Sequence, residues 1–173
     1  MTGCSAQNRL MLTELRTERL LLRRLCPEDL PAVVQIQGDP AANEHNPIGT
    51  ASPARIAQQL RCWVADWAEH GIGYWLVVDA GTEQAVGIGG LRRCEHEGAP
   101  ALNMFYRFRP SAWGRGLALE MARAAVAWAE REGRGAPVVV ITTRDNLPSI
   151  RLAERLGFRR AGTDPYWLEF RRS

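Results

Sequence analysis

Residues 113–120 read WGRGLALE, between a strand-like run, LNMFYRFRP (102–110), and a helix-like run, MARAAVAWAEREG (121–133). Two glycines one residue apart, where a strand becomes a helix, mark a tight turn, because glycine reaches backbone angles closed to other residues. The same place is chemically loaded. A helix N-terminus presents unpaired N–H groups and partial positive charge, and a residue without Cβ lets an anion approach the backbone. Arg115, between the glycines, adds a charge-assisted donor at the rim. Alone, a G-x-G is more often a plain turn than an anion cradle, so its surroundings must decide.

Working outward, the apolar period changes from two to 3.6 across the glycines, and Leu117 to Glu132 forms a helix with Leu117, Met121, Ala125, Trp128 and Ala129 on one face. PVVVITT (137–143) follows as a β-branched run expected of a central strand buried on both sides. Upstream, YWLVV (74–78) and AVGIGGL (85–91) are strands joined by a DAGTEQ hairpin, and EHEGAP (95–100) is a loop before the next strand. GIGG (87–90) reads as a strand needing close backbone approach. Nearer the start, ERLLLRRL supplies a strand over 19–24, and CPEDLPAVVQIQGDP (26–40) a short helix with Pro27 and two acids in its first turn. SPARIAQQLRCWVADWAEHG (52–71) is a second helix, with Ser52 as N-cap, Pro53 in the first turn, and Ile56, Leu60, Trp63, Val64 and Trp67 on one face. LPSIRLAERLG (147–157) is a last short helix, before strands in GFRRAG and YWLEFRR. The order β-α-α-β-β-β-α-β-α-β-β predicts an α+β fold: a mixed, mostly antiparallel sheet of about seven strands, a central parallel β-α-β crossover and four flanking helices. The length of 173 residues suits one domain over 1–173, with 1–15 as a loosely ordered segment.

Composition narrows the chemistry. The net charge of +3 comes without a block of like charges, which speaks against a nucleic-acid groove, and no apolar run approaches a membrane span. All 22 basic residues are arginine. Without lysine there is no Schiff base, no pyridoxal-phosphate attachment and no phosphate-loop lysine. A dinucleotide fingerprint would need glycine at 119, where Leu119 stands. Cys4, Cys26, Cys62 and Cys94 form no C-x-x-C pair and are expected to be reduced in a cytoplasmic protein. CEHE (94–97) holds ligand types but reads as a solvated turn, and no metal is expected.

At this point WGRGLALE resembles the Q/R-x-x-G-x-G/A signature of the GNAT acetyltransferase superfamily, with Gly116 and Ala118 on its small positions. Trp113 and Glu120 fit the W-G-x-G-x-A-x-E form of the branch that includes ribosomal-protein N-terminal acetyltransferases. TERLLLRRLCPEDL (17–30) and NLPSIRLAERLGFRRAG (146–162) are similar to the opening and the later motif of that branch, so the likeness spans nearly the whole chain.

The resemblance implies acetyl-CoA as cofactor, lying between splayed strands in MFYRFR and VVVITT. Its pyrophosphate would rest on the backbone of Trp113, Gly114, Arg115, Gly116, Leu117 and Ala118. A bulge near Phe108, Arg109 and Pro110 would free backbone groups for the pantetheine arm. The backbone N–H of Phe108 would be the oxyanion donor, and Ser149 would protonate the departing thiolate. Asn146 would bind the cofactor or serve as a helix N-cap. Asn103 stands where many relatives have Glu, so the base is not identified; Glu44 and His45, on a predicted solvated loop, are candidates on the acceptor side. The activity implied is direct transfer of acetyl to a primary amine, and the lack of a strong base favours the low-pKa α-amine of a protein or peptide N-terminus. A small-molecule amine (polyamine, amino acid or aminoglycoside) and a non-catalytic acyl-CoA-binding module stay open as alternatives. The expected partner is the amine acceptor, with no nucleic acid or membrane, for a monomer or homodimer.

Overall fold

Two of the described helices start on a side-chain cap written into the local sequence, Ser52 and Asn146. The computed structural model describes residues 14–132, 135–162 and 167–172. After a 3-10 turn at Pro27–Asp29, α1 spans Leu30–Gln37, and α2 spans Pro53–His70. Ser52 Oγ accepts from the Arg55 N–H at 3.3 Å, and Gly71 closes α2 in the left-handed region at φ 67°. α3 spans Leu117–Glu132 and α4 Leu147–Arg155. Of the faces read from spacing, Ile56, Leu60, Trp63 and Trp67 on α2 and Leu117, Met121, Ala125 and Ala129 on α3 are buried, while Val64 and Trp128 at their margins are partly buried.

The strands are β1 (Glu14–Arg16), β2 (Leu20–Arg24), β3 (Tyr74–Asp79), β4 (Ala85–His96), β5 (Ala99–Phe108), β6 (Val138–Thr143), β7 (Arg159–Ala161) and β8 (Trp167–Arg172). They form one sheet in the order β1-β2-β3-β4-β5-β6-β8-β7, with β5–β6 as its parallel pair, joined through α3. The α+β class, the crossover and the four helices are as expected. Among the described residues the strands number eight rather than about seven. The added strand, β1, pairs with the open edge of β2 (Glu14↔Arg23 to Arg16↔Leu21), an edge that needs a partner. Residues 1–13 of the segment expected to be loose lie outside the described residues.

The two faces of the sheet carry separate cores. α3 and α4 pack on one, with Leu22, Trp75, Met104, Phe108, Met121 and Phe170; α1 and α2 pack on the other, with Val33, Ile36, Trp63, Tyr74 and Ile88. The EHEGAP loop is instead an extension of the β4–β5 hairpin: pairing continues to His96↔Ala99, and Glu97 and Gly98 turn with φ of 50° and 76°. β6 departs from its expected burial too. Val138, Val139 and Val140 are buried, but Ile141 is 46% exposed, because it lines the cleft described next.

Candidate active site

A parallel pair that stays zipped leaves no room for a ligand. Here β5 and β6 pair only at Leu102↔Val138 and Asn103↔Val139. Beyond that point β5 stays with β4 as far as Phe108↔Gly87, and β6 stays with β8 as far as Thr143↔Trp167. Each strand is held by its outer neighbour, and sheet twist carries the two apart. The expectation of a bulge at Phe108–Pro110 is therefore corrected: β5 keeps an unbroken register on β4, and the opening begins at Met104. Pro110 does end the strand, as the first residue of a 3-10 turn.

The direction of the freed backbone groups follows from alternation. Arg109 donates its N–H to Val86 on the β4 side at 2.9 Å, while Leu102 donates to Pro137 on the β6 side at 2.9 Å. Successive residues of a strand present their N–H and C=O to opposite edges, so the N–H groups of Tyr106 and Phe108 face the opening. The result is a cleft of about 740 Å³ between the split strands. Its walls are β5, β6, the α3 N-terminus, the start of α4 and residues 41–47 of the α1–α2 connection.

At the N-terminus of α3, Gly114 and Gly116 hold φ of 70° and 75°, which any residue with a Cβ adopts only under strain. A Cβ on Gly114 would meet nothing within 4 Å, so backbone sign rather than crowding requires glycine there. Trp113, Gly114, Gly116, Leu117 and Ala118 line the cleft, and Trp113 Nε1 donates to the Phe108 carbonyl at 2.9 Å. Arg115 is turned away: its guanidinium is 2.8 Å from Asp79 at the end of β3, and its carbonyl accepts from Arg19 at 2.9 Å. Arg19 is in turn held 2.7 Å from Glu120, which also accepts from Thr17 Oγ1. The Glu of the motif thus braces the glycine turn from behind. Arg109 is likewise elsewhere, donating to Gln35 Oε1 on α1 at 2.7 Å.

Across the cleft, Asn146 caps α4, its Oδ1 accepting from the Ser149 N–H at 3.2 Å. Ser149 is buried, and its Oγ lies 2.6 Å from the Tyr106 hydroxyl. Burial pushes the Tyr106 phenol up to about 12, with Ser149 pulling weakly the other way, so Tyr106 keeps its proton at neutral pH. Sequence reasoning missed Tyr106. Counting by twos from Phe108 would have put it on the same face of β5. Asn103 donates to the Tyr74 hydroxyl at 2.9 Å, on the α1–α2 face. Glu44 and His45 belong to the cleft wall, where His45 Nδ1 comes to 3.6 Å from Asp145 Oδ2 across the mouth.

The CEHE stretch is strand and turn, not loop. His96, Glu97 and Glu169 converge there, and the Arg171 guanidinium contacts both carboxylates. Cys26, Cys62 and Cys94 form no disulfide among the described residues, and Cys4 lies outside them. No helix among the described residues is long and apolar enough to cross a membrane.

Residues 19–159 match the model of the acetyltransferase (GNAT) domain, and the chain belongs to that family. It is 26% identical over 160 residues to the uncharacterized protein YkkB of Bacillus subtilis (strain 168), covering 90% of each chain. Among solved structures it resembles an acetyltransferase from Agrobacterium tumefaciens str. C58, with 25% identity, a TM-score of 0.80 and coverage of 95% and 96% of the two chains. It also resembles RimL, a ribosomal L7/L12 alpha-N-protein acetyltransferase in complex with coenzyme A, at 18% identity and a TM-score of 0.74, covering 90% of this chain and 94% of that one. The protein is accordingly a GNAT acetyltransferase that uses acetyl-CoA. The open β5 edge and the glycine turn at a helix N-terminus fit a donor with an amide-bearing arm and a pyrophosphate.

Proposed function

We propose that the protein transfers acetyl to a primary amine, and that the α-amine of a peptide or protein N-terminus is its acceptor class. The observation that carries this is the 2.6 Å contact of Ser149 with Tyr106 at the wall of the split-strand cleft, which sets a held proton donor beside an open strand edge. Bound acetyl-CoA supplies the thioester. The backbone from Trp113 to Ala118 would hold its pyrophosphate, with Arg115 acting through the turn it fastens to Asp79 rather than by contact. The Phe108 N–H would donate to the thioester oxygen as negative charge gathers there. The Ser149 hydroxyl would give its proton to the sulfur and be restored by the one the amine loses to water, while Tyr106 holds the serine in place. Asn146 sets the first turn of α4, which carries Ser149. Arg109 supports the β5 end from α1.

The acceptor class follows from the base. The amide of Asn103 takes up no proton usefully, and it is engaged with Tyr74. An α-amine, with pKa near 8, is about one-tenth neutral at pH 7, whereas a lysine amine near 10.4 is neutral in fewer than about one molecule in a thousand. Modest base machinery therefore serves the first and not the second. RimL, described as an alpha-N-protein acetyltransferase, is a structural relative that supports the reading. A cytoplasmic location fits such an acceptor.

Thiol release is the test. Peptides with a free α-amine should be acetylated with kcat/KM rising with pH to a plateau near 8, and α-blocked peptides carrying only a lysine amine should react far more slowly. Equal turnover of the two sets would overturn the α-amine assignment.

A further inference from the structure

Most arginines that the fold ties down have a carboxylate. Arg19, Arg23, Arg92, Arg115, Arg171 and Arg172 each come within 2.5–2.8 Å of one. Arg107 and Arg109 each reach a glutamine amide instead, and of the two Arg107 lines the cleft. It is part-buried, and among the described residues no carboxylate reaches ion-pair distance of it. One guanidinium nitrogen donates to the side-chain oxygen of Gln37, at the end of α1, and the group lies 5.4 Å from the centre of the Phe105 ring. Burial lowers its pKa, and no acid opposes the shift. A guanidinium has five N–H donors in a planar fork suited to a carboxylate, and a neutral amide offsets its charge poorly. A glutamate at 37, nearly the same shape, would have closed an ion pair. The chain carries the amide, and the cleft keeps the charge.

Placement says what that charge can meet. Side chains of β5 alternate: Met104, Tyr106 and Phe108 belong to the α3–α4 face, while Phe105 packs with Trp63 and Tyr74 on the α1–α2 face. Arg107, reaching Gln37, is on the second face. The glycine cradle of α3 is on the first. The donor's phosphates therefore belong to the face opposite Arg107, and the α1–α2 face is left for the acceptor. Glu44, in the same cleft wall, gives an incoming ammonium an opposite charge.

We propose that Arg107 is an acceptor subsite that receives a carboxylate carried close to the amine to be acetylated. This rests on the reading of the cleft as an amine-acetylating site. It sets zwitterionic or acidic acceptors above polycations, whose charge Arg107 repels. The carboxylate has two possible sources, an α-carboxylate of a free amino acid or an acidic side chain near a peptide N-terminus.

Thiol-release kinetics on matched pairs, with kcat/KM referred to the neutral fraction of each amine, test it: an amino acid against its carboxamide, and a peptide with Asp at its second position against the same peptide with Asn. In the unaltered protein at least one acid should exceed its amide in kcat/KM by about 10- to 100-fold, the span of a hydrogen bond to a charged group, and the pair that does so identifies the source. Arg107→Gln should collapse the ratio to near one through the acceptor KM, with the acetyl-CoA KM unchanged. Gln37→Glu should collapse it as well, by giving Arg107 an internal partner, and should raise Tm; it serves if Arg107→Gln fails to fold. Equal kcat/KM for acid and amide in both pairs, a ratio that survives Gln37→Glu, or a rise confined to the acetyl-CoA KM would each overturn the subsite while leaving amine transfer standing. No thiol release with any amine would remove the amine-transfer reading and this inference with it.

Discussion

At Ser149 the hydroxyl is buried, sits at the first turn of α4 and shares a 2.6 Å contact with Tyr106. The proposed role of that hydroxyl, as acid toward the departing sulfur, can be tested at both partners of the contact. Ser149→Ala should lower kcat roughly 10- to 100-fold, at the low end of general acid catalysis because a thiolate leaves readily, with little change in the acetyl-CoA KM. Tyr106→Phe keeps the ring and should cost less. Thiol release at saturating donor, with both KM values followed, separates this from a loss of binding. Ser149 was named from the motif; Tyr106 was invisible there because its role depends on which face of β5 it takes and on where α4 lands.

Among the elements, β4 and α3 meet where side chains are smallest. A Cβ on Gly89 would fall 2.9 Å from the Phe105 carbonyl oxygen and 2.5 Å from Met121 Cε. The methionine can yield, but the β5 backbone cannot move without opening the ladder. Gly89→Ala should therefore destabilise by about 1–3 kcal/mol through overpacking, read as a lower denaturant midpoint with unchanged m-value. GIGG was legible as a strand needing close approach. What approaches it was not, since Phe105, Met121 and, at Gly90, the Trp75 ring come from three other elements.

For the whole molecule, acid stability should depend on the network behind the glycine turn. Burial alone would raise the Glu120 carboxyl, but donation from Thr17, the Arg19 N–H and the Arg19 guanidinium outweighs it and holds the group below the usual range. A carboxyl depressed in the folded state stabilises above its unfolded pKa, near 4.3, and that contribution is lost as pH falls below it. Glu120→Gln should lower Tm at pH 7 and narrow the gap to the unaltered protein as pH drops below about 4, measured by thermal melts from pH 7 to 3. The same substitution should weaken acetyl-CoA binding, because the turn it braces lines the cleft.

Local rules, which need only neighbouring residues, reached far into this chain. Ser52, Pro53 and Gly71 set the ends of α2, the period of Leu117 to Ala129 set the buried face of α3, and the order of elements set the parallel crossover. The WGRGLALE turn was readable as a tight strand-to-helix turn because its two glycines and the helix start are consecutive in the chain, while its reading as a pyrophosphate cradle came from the family resemblance. The tertiary structure decided the rest. It drew Arg115 off the rim to Asp79, paired β1 with the edge of β2, and split β5 from β6 at Met104 by holding each to its outer neighbour. Those outcomes depend on partners 36 or more residues away for Arg115 and on a balance of two ladders for the cleft. Propensity and spacing carry no information about either, since a long-range contact is settled only when the whole sheet has closed around it.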